Sequence, residues 1–589
     1  MNQKPSAPAA SELRSEVWRL RPILQRAVIL SFLAAALSLS PSLYMLEVYT
    51  RVVDSRSLMT LLMLTLAVTG AYIVMEVLEW VRAQILRHAG QQLDARLGER
   101  VFGAVFLLNL HRGQGAGQQA MADLRTVREF FGAPAALAAM DSPVVIFIMI
   151  ILFWMHPMLG WFAVLGGIVQ TIIAFLTNRR TQLPLTAANK AAMAAQNYAG
   201  NSLRNAQVIE SMGMLEGIHQ RWMRHQREFL QQQASASDHA GGLASAAKSV
   251  QLISASGMLG LAAWLILTGD LLDAGLMIVA MILGGKVLQP IVQLVSNWKS
   301  VVEVRGAYGR LDELLRQIPA GQEQMSLPPP KGLLSVEAVT AGAPGSPLPI
   351  LRNVSFALPA GECLAVVGPS ASGKTTLARL LMGLWPAMSG KVRLDGADVY
   401  AWNKSELGPH VGYLPQGVEL FDGTLAENIA RFGEVDIAQV EEAARLVGLD
   451  ALVAELPDGY HSRIGDEGAF LSGGQRQRVG LARAIYGQPR FIVLDEPNSS
   501  LDELGEKALA GLVSFLKSRG VTIVIITHRT SILAVAERML LLVNGAVQAY
   551  GPRDEVLAAL AKAREGQTAQ APANAPGMQH PALGTTPAA

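Results

Sequence analysis

Apolar residues are distributed very differently in the two halves of the chain. Before residue 300 they form long blocks, and after residue 330 they form short runs between polar turns. Six blocks, near 27–48, 58–78, 134–155, 159–176, 250–268 and 274–294, are each roughly twenty residues long, enough for a helix to cross the hydrocarbon of a bilayer. Buried helices of a soluble protein could imitate one or two such blocks, but six in succession predict a membrane half. The blocks are not pure. Glu47 and Glu76 lie near ends, Pro41 and Pro290 interrupt, and Lys286 stands inside the sixth. Between the second and third blocks, and again between the fourth and fifth, apolar residues recur three and four apart over 79–110 and 187–233, which predicts long helices continuing out of the membrane. After Leu333 the pattern changes to strands: LLSVEAVT, LRNVSFAL, CLAVV at 363–367 and FIVLDEP at 491–497.

Composition sharpens this division. Apolar residues make up 51% of the 589 positions and charged residues only 16%, with a mean hydropathy of +0.30. A net charge of +2 carries no polyelectrolyte signature, so nucleic acid is not expected as a partner. The single cysteine, Cys363, excludes intrachain disulfides and cysteine metal clusters. No cleavable signal pattern follows the first apolar block. Basic residues set the topology: segments 1–26, 81–133 and 178–249 carry 5, 7 and 8 Lys/Arg, whereas 49–57, 156–158 and 269–273 carry 2, 0 and 0. The asymmetry predicts both termini and both long connections on the cytoplasmic side.

Two polar positions in the membrane half stand out. Lys286 costs several kcal/mol at membrane depth unless paired or wetted. It either lines a polar path, or reaches toward headgroups, or pairs with Glu47 or Glu76. Asp141, in MDSPVV, is expected to cap or bound a helix. Residues 312–330 turn polar and end in three prolines, a semi-rigid linker. From about residue 563 the composition is Ala/Pro/Gln/Gly-rich without periodicity, which predicts disorder.

Candidate chemistry begins at GPSASGKTT, residues 368–376. Gly368, Gly373, Lys374 and Thr375 fit G-x-x-x-x-G-K-[ST] between a predicted strand and a predicted helix. The backbone of Gly368, Pro369, Ser370, Ala371, Ser372 and Gly373 is suited to cradle phosphates, with Lys374 reaching the β- and γ-phosphates and Thr375 holding Mg²⁺ beside Thr376. Asp495 at the end of the FIVLD strand is expected to bind the same Mg²⁺. Glu496, one residue further, is placed to act as general base on an attacking water. A second glycine-bearing loop, LSGGQRQR, puts Ser472, Gly473, Gly474 and Gln475 at another helix start. One nucleotide does not need two such loops, so this one is expected to close on the γ-phosphate held by a second subunit.

With the phosphate loop before it and LDE after it, LSGGQ resembles the signature of the ABC transporter ATPases. The resemblance implies an α-helical polytopic membrane domain of about six spans, exporter type, followed by an α/β P-loop ATPase domain of the ABC type. It further implies a Q-loop at Gln416, contacting Mg²⁺ or water and facing the membrane domain, and a D-loop at SSLD, residues 499–502. His528 would be the switch histidine on the γ-phosphate, and SRIGDEG (462–468) an exporter-type loop that communicates with the intracellular helices. One departure stands out: the family's adenine-stacking aromatic should lie near 340–345, where TAGAPG has none.

The implied boundaries are a cytoplasmic segment at 1–26, a transmembrane exporter domain at 27–311, a linker at 312–330, a nucleotide-binding domain at 331–562 and a tail at 563–589. One membrane half with one ATPase half implies a dimer, a homodimer by default with a heterodimer as the alternative, and ATP and Mg²⁺ as cofactors. The stretches 42–65, 140–153 and 205–214 look like type I secretion ATPases, nearest to the PrtD-like protease and lipase exporters. That likeness implies residence in the bacterial inner membrane, a periplasmic membrane-fusion adaptor, a TolC-like outer-membrane channel, and unfolded protein cargo with a C-terminal signal. A lipid or drug exporter would share every ATPase residue. A bacteriocin-type exporter would need an N-terminal cysteine protease, which Cys363 alone cannot supply. A degenerate, non-hydrolysing subunit is disfavoured by Lys374, Asp495, Glu496 and His528.

Overall fold

The computed structural model describes residues 11–112, 116–269, 275–319, 326–465, 468, 470–499, 501 and 503–569. Part of the 111–117 turn, most of the 269–273 connection, Asp466 and Glu467, Ser500 and Asp502 of the D-loop, and everything after residue 569 lie outside the described residues. The chain divides into two compact units, Met1–Ala320 and Gly321–Ala589.

The first unit is entirely helical among the described residues. It begins with α1 (Glu12–Arg19), α2 (Arg21–Leu37), α3 (Ser40–Glu47), a π-helical turn Val48–Val52, and α4 (Val53–Ser55). Then come α5 (Leu58–Arg112), α6 (Ala116–Phe130), α7 (Pro134–Met155), α8 (Pro157–Arg204), α9 (Ala206–Ser211), α10 (Leu215–Leu267), α11 (Gly275–Ser296) and α12 (Trp298–Gln317). Among the described residues, six helical segments are long and apolar enough to cross a membrane, as the hydropathy pattern predicts. The 55 residues of α5 extend about 80 Å at 1.5 Å per residue, well beyond a hydrocarbon layer of about 30 Å.

Small residues let these helices approach closely, which is how helices associate where the surrounding solvent is itself apolar. Helix α8 buries Ala163, Ala188, Ala191 and Ala195, and its Gln170 side chain donates 2.6 Å to the Ala247 carbonyl of α10. A Cβ on Gly257 would lie 2.7 Å from Phe162, and one on Gly284 would lie 2.6 Å from Met258. A separate core gathers Leu13 and Leu20, Leu93 and Leu97 of α5, Leu124 and Val127 of α6, and Leu311 and Leu315 of α12. Arg310 clamps it, donating 2.8 and 2.6 Å to the two oxygens of the buried Asp123.

Several expectations for this unit need correction. The first span is not one helix, because it breaks after Leu37 and resumes at Ser40. Pro41 has no N–H to donate, so the backbone ladder is interrupted there. Within the leading segment, residues 12–19 are helical, with Leu13 in a core. Residues 312–317 belong to the last turns of α12, not to the linker. Asp141 is neither cap nor boundary; it lies inside α7 and pairs with Arg82 of α5 at 2.6 Å. Lys286 pairs with neither Glu47 nor Glu76 but donates to the Ser38 carbonyl, while Glu47 sits 3.4 Å from Arg51.

In the second unit the strands are β1 (Leu334–Ala341), β2 (Leu351–Leu358), β3 (Cys363–Val367), β4 (Ser389–Leu394), β5 (Ala397–Asp398), β6 (Val411–Leu414), β7 (Phe491–Asp495), β8 (Thr522–Ile526), β9 (Arg538–Val543) and β10 (Ala546–Pro552). An antiparallel sheet runs β2-β1-β4-β5, and a six-stranded sheet runs β10-β9-β3-β8-β7-β6. In the larger sheet β9, β3, β8, β7 and β6 are mutually parallel.

Both faces of that sheet are covered, which explains the uninterrupted apolar runs. Cys363, Ala365, Ile492, Leu494, Ile523 and Ile525 enter one core, and their neighbours Leu364, Val366, Phe491, Val493, Val524 and Ile526 enter the other. The last helix among the described residues, Arg553–Ala569, runs six residues past 563, where the low-complexity composition predicts disorder to begin.

Candidate functional site

Four adjacent parallel strands end on one edge of the six-stranded sheet, and each delivers part of one site. β3 leads into the phosphate loop and the helix α13 (Lys374–Leu381); β8 leads to His528; β7 ends at Asp495 and Glu496; β6 leads to Gln416. Carboxyl ends of parallel strands are where open α/β sheets place their ligands. One pocket there is lined by Ser370, Ala371, Gly373, Lys374, Thr375, Thr376, Gln416, Glu496 and His528, together with Ile350.

The loop geometry demands its glycines. A Cβ on Gly368 would lie 2.0 Å from the Leu542 carbonyl oxygen, and Gly373 has φ +100 with a Cβ position 2.7 Å from the Leu351 side chain. Lys374 Nζ donates 2.9 and 2.8 Å to the carbonyls of Gly368 and Pro369. Burial lowers the Lys374 pKa, opposed by the nearby Glu496 and Asp495. The ammonium therefore sits where a phosphate oxygen can replace weaker carbonyl acceptors. Ser372 lies beneath the loop, 3% exposed, with an unpartnered hydroxyl.

Asp495 is 1% exposed, and neither of its carboxylate oxygens accepts a hydrogen bond of ordinary geometry. Burial raises its pKa, opposed in part by the Thr375 hydroxyl. Two orphaned buried carboxylate oxygens beside a hydroxyl form a hard oxygen donor set, and this fits a magnesium ion. Glu496 follows at φ +51, in the left-handed region that costs a non-glycine residue energy. The twist aims its carboxylate into the pocket, where Gln416 donates 3.0 Å to one oxygen and His528 Nε2 lies 3.2 Å from the other. The Gln416 amide nitrogen is thus engaged, leaving its oxygen for a cation or water.

Ser472, Gly473, Gly474 and Gln475 are not in this pocket. They open the helix Gly473–Ile485, where Ser472 Oγ accepts 3.2 Å from the Gln475 N–H and Gln475 returns the bond to the Ser472 N–H at 2.8 Å. This reciprocal cap leaves the glycine N–H groups pointing out of the helix start.

Two residues escaped the sequence reading. Gln477, 5% exposed, donates 3.1 Å to the Glu496 carbonyl and 3.2 Å to Ser499 Oγ, and so fixes the segment carrying the general-base candidate. Its only sequence signal was its place just after LSGGQ. Ile350 forms an apolar wall of the pocket, and its N–H donates 2.8 Å to the Ala341 carbonyl, inside the stretch that lacks an aromatic. The available clue was Ile350 directly before Leu351, the first residue of β2, because successive side chains point to opposite faces and only one of the two can face inward.

Comparison with known proteins agrees with this geometry. The ABC transporter transmembrane region matches residues 25–289, and the ABC transporter ATP-binding family matches 351–499. The type I secretion system ATP-binding protein PrsD of Rhizobium meliloti (strain 1021) is 39% identical over 531 residues, 90% of this chain and 91% of that protein. The leukotoxin translocation ATP-binding protein LktB of Mannheimia haemolytica is 28% identical, over 92% of this chain and 77% of its own length. A bacterial Atm1-family ABC exporter solved with ATP bound shares the fold, with a TM-score of 0.78 at 23% identity, covering 94% of this chain and 99% of that one. An intact phosphate loop, two strand-end acids and a six-span membrane half, together with these relatives, make the chain a multi-pass, ATP-hydrolysing member of the ABC transporter family, among the ATP-binding proteins of type I secretion.

Proposed function

We propose that the chain is the inner-membrane ATPase and permease that drives unfolded proteins bearing a C-terminal signal into a type I secretion conduit. The observation that carries this reading is the 39% identity to a type I secretion ATP-binding protein across nine-tenths of the chain. The PrtD-like exporters are its nearest subgroup in this reading. A periplasmic adaptor and a TolC-like outer-membrane channel would complete the path.

Two copies would form the working unit. Each phosphate loop would hold one ATP, and Ser472, Gly473, Gly474 and Gln475 of the opposite copy would close on its γ-phosphate. Lys374 would exchange its carbonyl acceptors for phosphate oxygens. Thr375, Asp495 and the Gln416 amide oxygen would hold Mg²⁺, which neutralises charge on the β- and γ-phosphates. Glu496, released from the Gln416 amide, would take a proton from the attacking water, and His528 would contact the γ-phosphate. ATP thereby favours the closed pair, and loss of the γ-phosphate releases it. Ile350 would offer the adenine an aliphatic surface in place of an aromatic one.

The test is ATPase turnover of the reconstituted protein with and without the C-terminal fragment of a secreted protein encoded beside it. Turnover should change, and removing the fragment's last residues should abolish the change. Stimulation only by lipids or amphiphilic drugs would instead make this a flippase or drug exporter.

A further inference from the structure

The membrane half contains a polar cavity of about 290 Å³, lined by Ser38, Glu79, Arg82, Asp141, Lys286 and Gln289 among others. These residues come from four helical segments: the end of α2, and α5, α7 and α11. Arg82 is 7% exposed. One of its terminal nitrogens donates 2.6 Å to Asp141 and 2.9 Å to Ser31, while its Nε is buried with no acceptor. Lys286 donates to the Ser38 carbonyl at the end of α2, and no carboxylate lies within ion-pair reach of it among the described residues. Glu79 stands on the same wall, exposed, and makes no ion pair with either cation.

The Arg82 charge is already balanced by Asp141, whereas the Lys286 charge is balanced by a carbonyl dipole alone. An unpaired ammonium and an orphaned guanidinium N–H between membrane-crossing helices are costly to maintain unless something with oxygen acceptors visits them. The visitor must carry about one negative charge and an oxygen acceptor for Lys286 Nζ. A carboxylate has both.

We propose that this cavity is a carboxylate-binding site, and that its ligand is an acidic side chain or the terminal carboxylate of the polypeptide in transit. The identity of the ligand rests on the protein-export reading, whereas the existence of the site does not. Lys286 supplies the charge, and Glu79 repels a bound anion and so promotes its release.

The test uses the full-length protein in lipid nanodiscs carrying Gln289→Cys, a position three residues from Lys286 on the same helix. The only other thiol, Cys363, is fully buried, and burial pushes it up to about 12, so it stays silent. The introduced thiol is treated with a sulfonatoethyl (anionic) or a trimethylammonioethyl (cationic) methanethiosulfonate. The anionic reagent should react at least about tenfold faster than charge-neutral accessibility would give relative to the cationic one. Adding Lys286→Gln should erase that preference, and adding Glu79→Gln should enlarge it. Should Lys286→Gln fail to assemble, the Glu79→Gln arm tests the same field from the opposite side.

A peptide ending in a free carboxylate should slow the anionic reaction; protection lost on C-terminal amidation assigns the terminal carboxylate, and protection kept by the amide but lost when its acidic side chains are replaced by amides assigns an acidic side chain. Protection by oleate but not by the peptide would overturn the polypeptide assignment and make the ligand a lipid-derived acid. Equal rates for both reagents, insensitive to Lys286 and Glu79, would overturn the site itself, as would no reaction with either reagent. Because the charge preference is read without cargo, it can hold even if the secretion reading fails.

Discussion

At the scale of single residues, hydrogen bonds among the nucleotide-site side chains fix their mutual positions. Glu496 is held at a strained φ of +51, with Gln416 and His528 on its two oxygens. Glu496→Gln should keep the shape and lose the base, so turnover should fall by about 10²–10⁴ while ATP still binds. Single-turnover kinetics with labelled ATP would show this, and unchanged turnover would remove Glu496 from its role. Ile350 gives a second test of the same pocket. Base–aromatic stacking contributes roughly 1–3 kcal/mol, so Ile350→Phe should tighten ATP binding by at least about fivefold, and Ile350→Ala should weaken it. Equilibrium binding of a fluorescent ATP analogue reads both changes. No effect from either would place the adenine elsewhere. The sequence showed that the expected aromatic was missing, but not what stood in its place. That answer depends on how β1 and β2 pair, which sets Ile350 against Ala341.

At the scale of elements, the helix Gly473–Ile485 depends on a cap that is also the signature serine. Ser472 bonds the Gln475 N–H, and Gln475 bonds back. Aspartate caps a helix about as well as serine, but it would set a negative charge against a phosphate. Ser472→Asp should therefore leave thermal stability nearly unchanged and abolish hydrolysis. Ser472→Ala should cost about 1 kcal/mol of stability and impair turnover less. Melting curves and phosphate release, measured together, separate the two roles; a stable and active Ser472→Asp would mean that this loop never meets a phosphate. Helix and strand periodicities were legible because burial imposes them residue by residue. The break in the first span was less so. Pro41 hinted at it, but the helix also continues through Pro143, Pro184 and Pro290. Whether a proline breaks a membrane helix is decided by what packs beside it.

At the scale of the whole molecule, the Lys/Arg asymmetry of the connections predicts both termini on the cytoplasmic side. A reporter fused after residue 569, active only in the cytoplasm, should be active. The same reporter inserted at 156–158 should be inactive. The reverse pattern would invert the transport direction assigned above.

Sequence alone determined the division into a membrane half and an ATPase half, because hydrocarbon thickness and strand pleating act on local composition. It also offered the phosphate-loop, Asp495 and Glu496 candidates, because each sits in a short motif whose backbone geometry is local, whereas His528 came from the family resemblance. Only tertiary structure decided what those motifs share. Four strands separated by up to 163 positions, from Cys363 to Ile526, end side by side because the parallel order β3-β8-β7-β6 puts them there. Tertiary structure likewise paired Asp141 with Arg82, 59 positions away, and set Lys286 against Ser38, 248 positions away. A charge in a membrane span states only that a partner or a path is needed. Which one it meets depends on helix rotation, and the packing of many small residues sets that rotation.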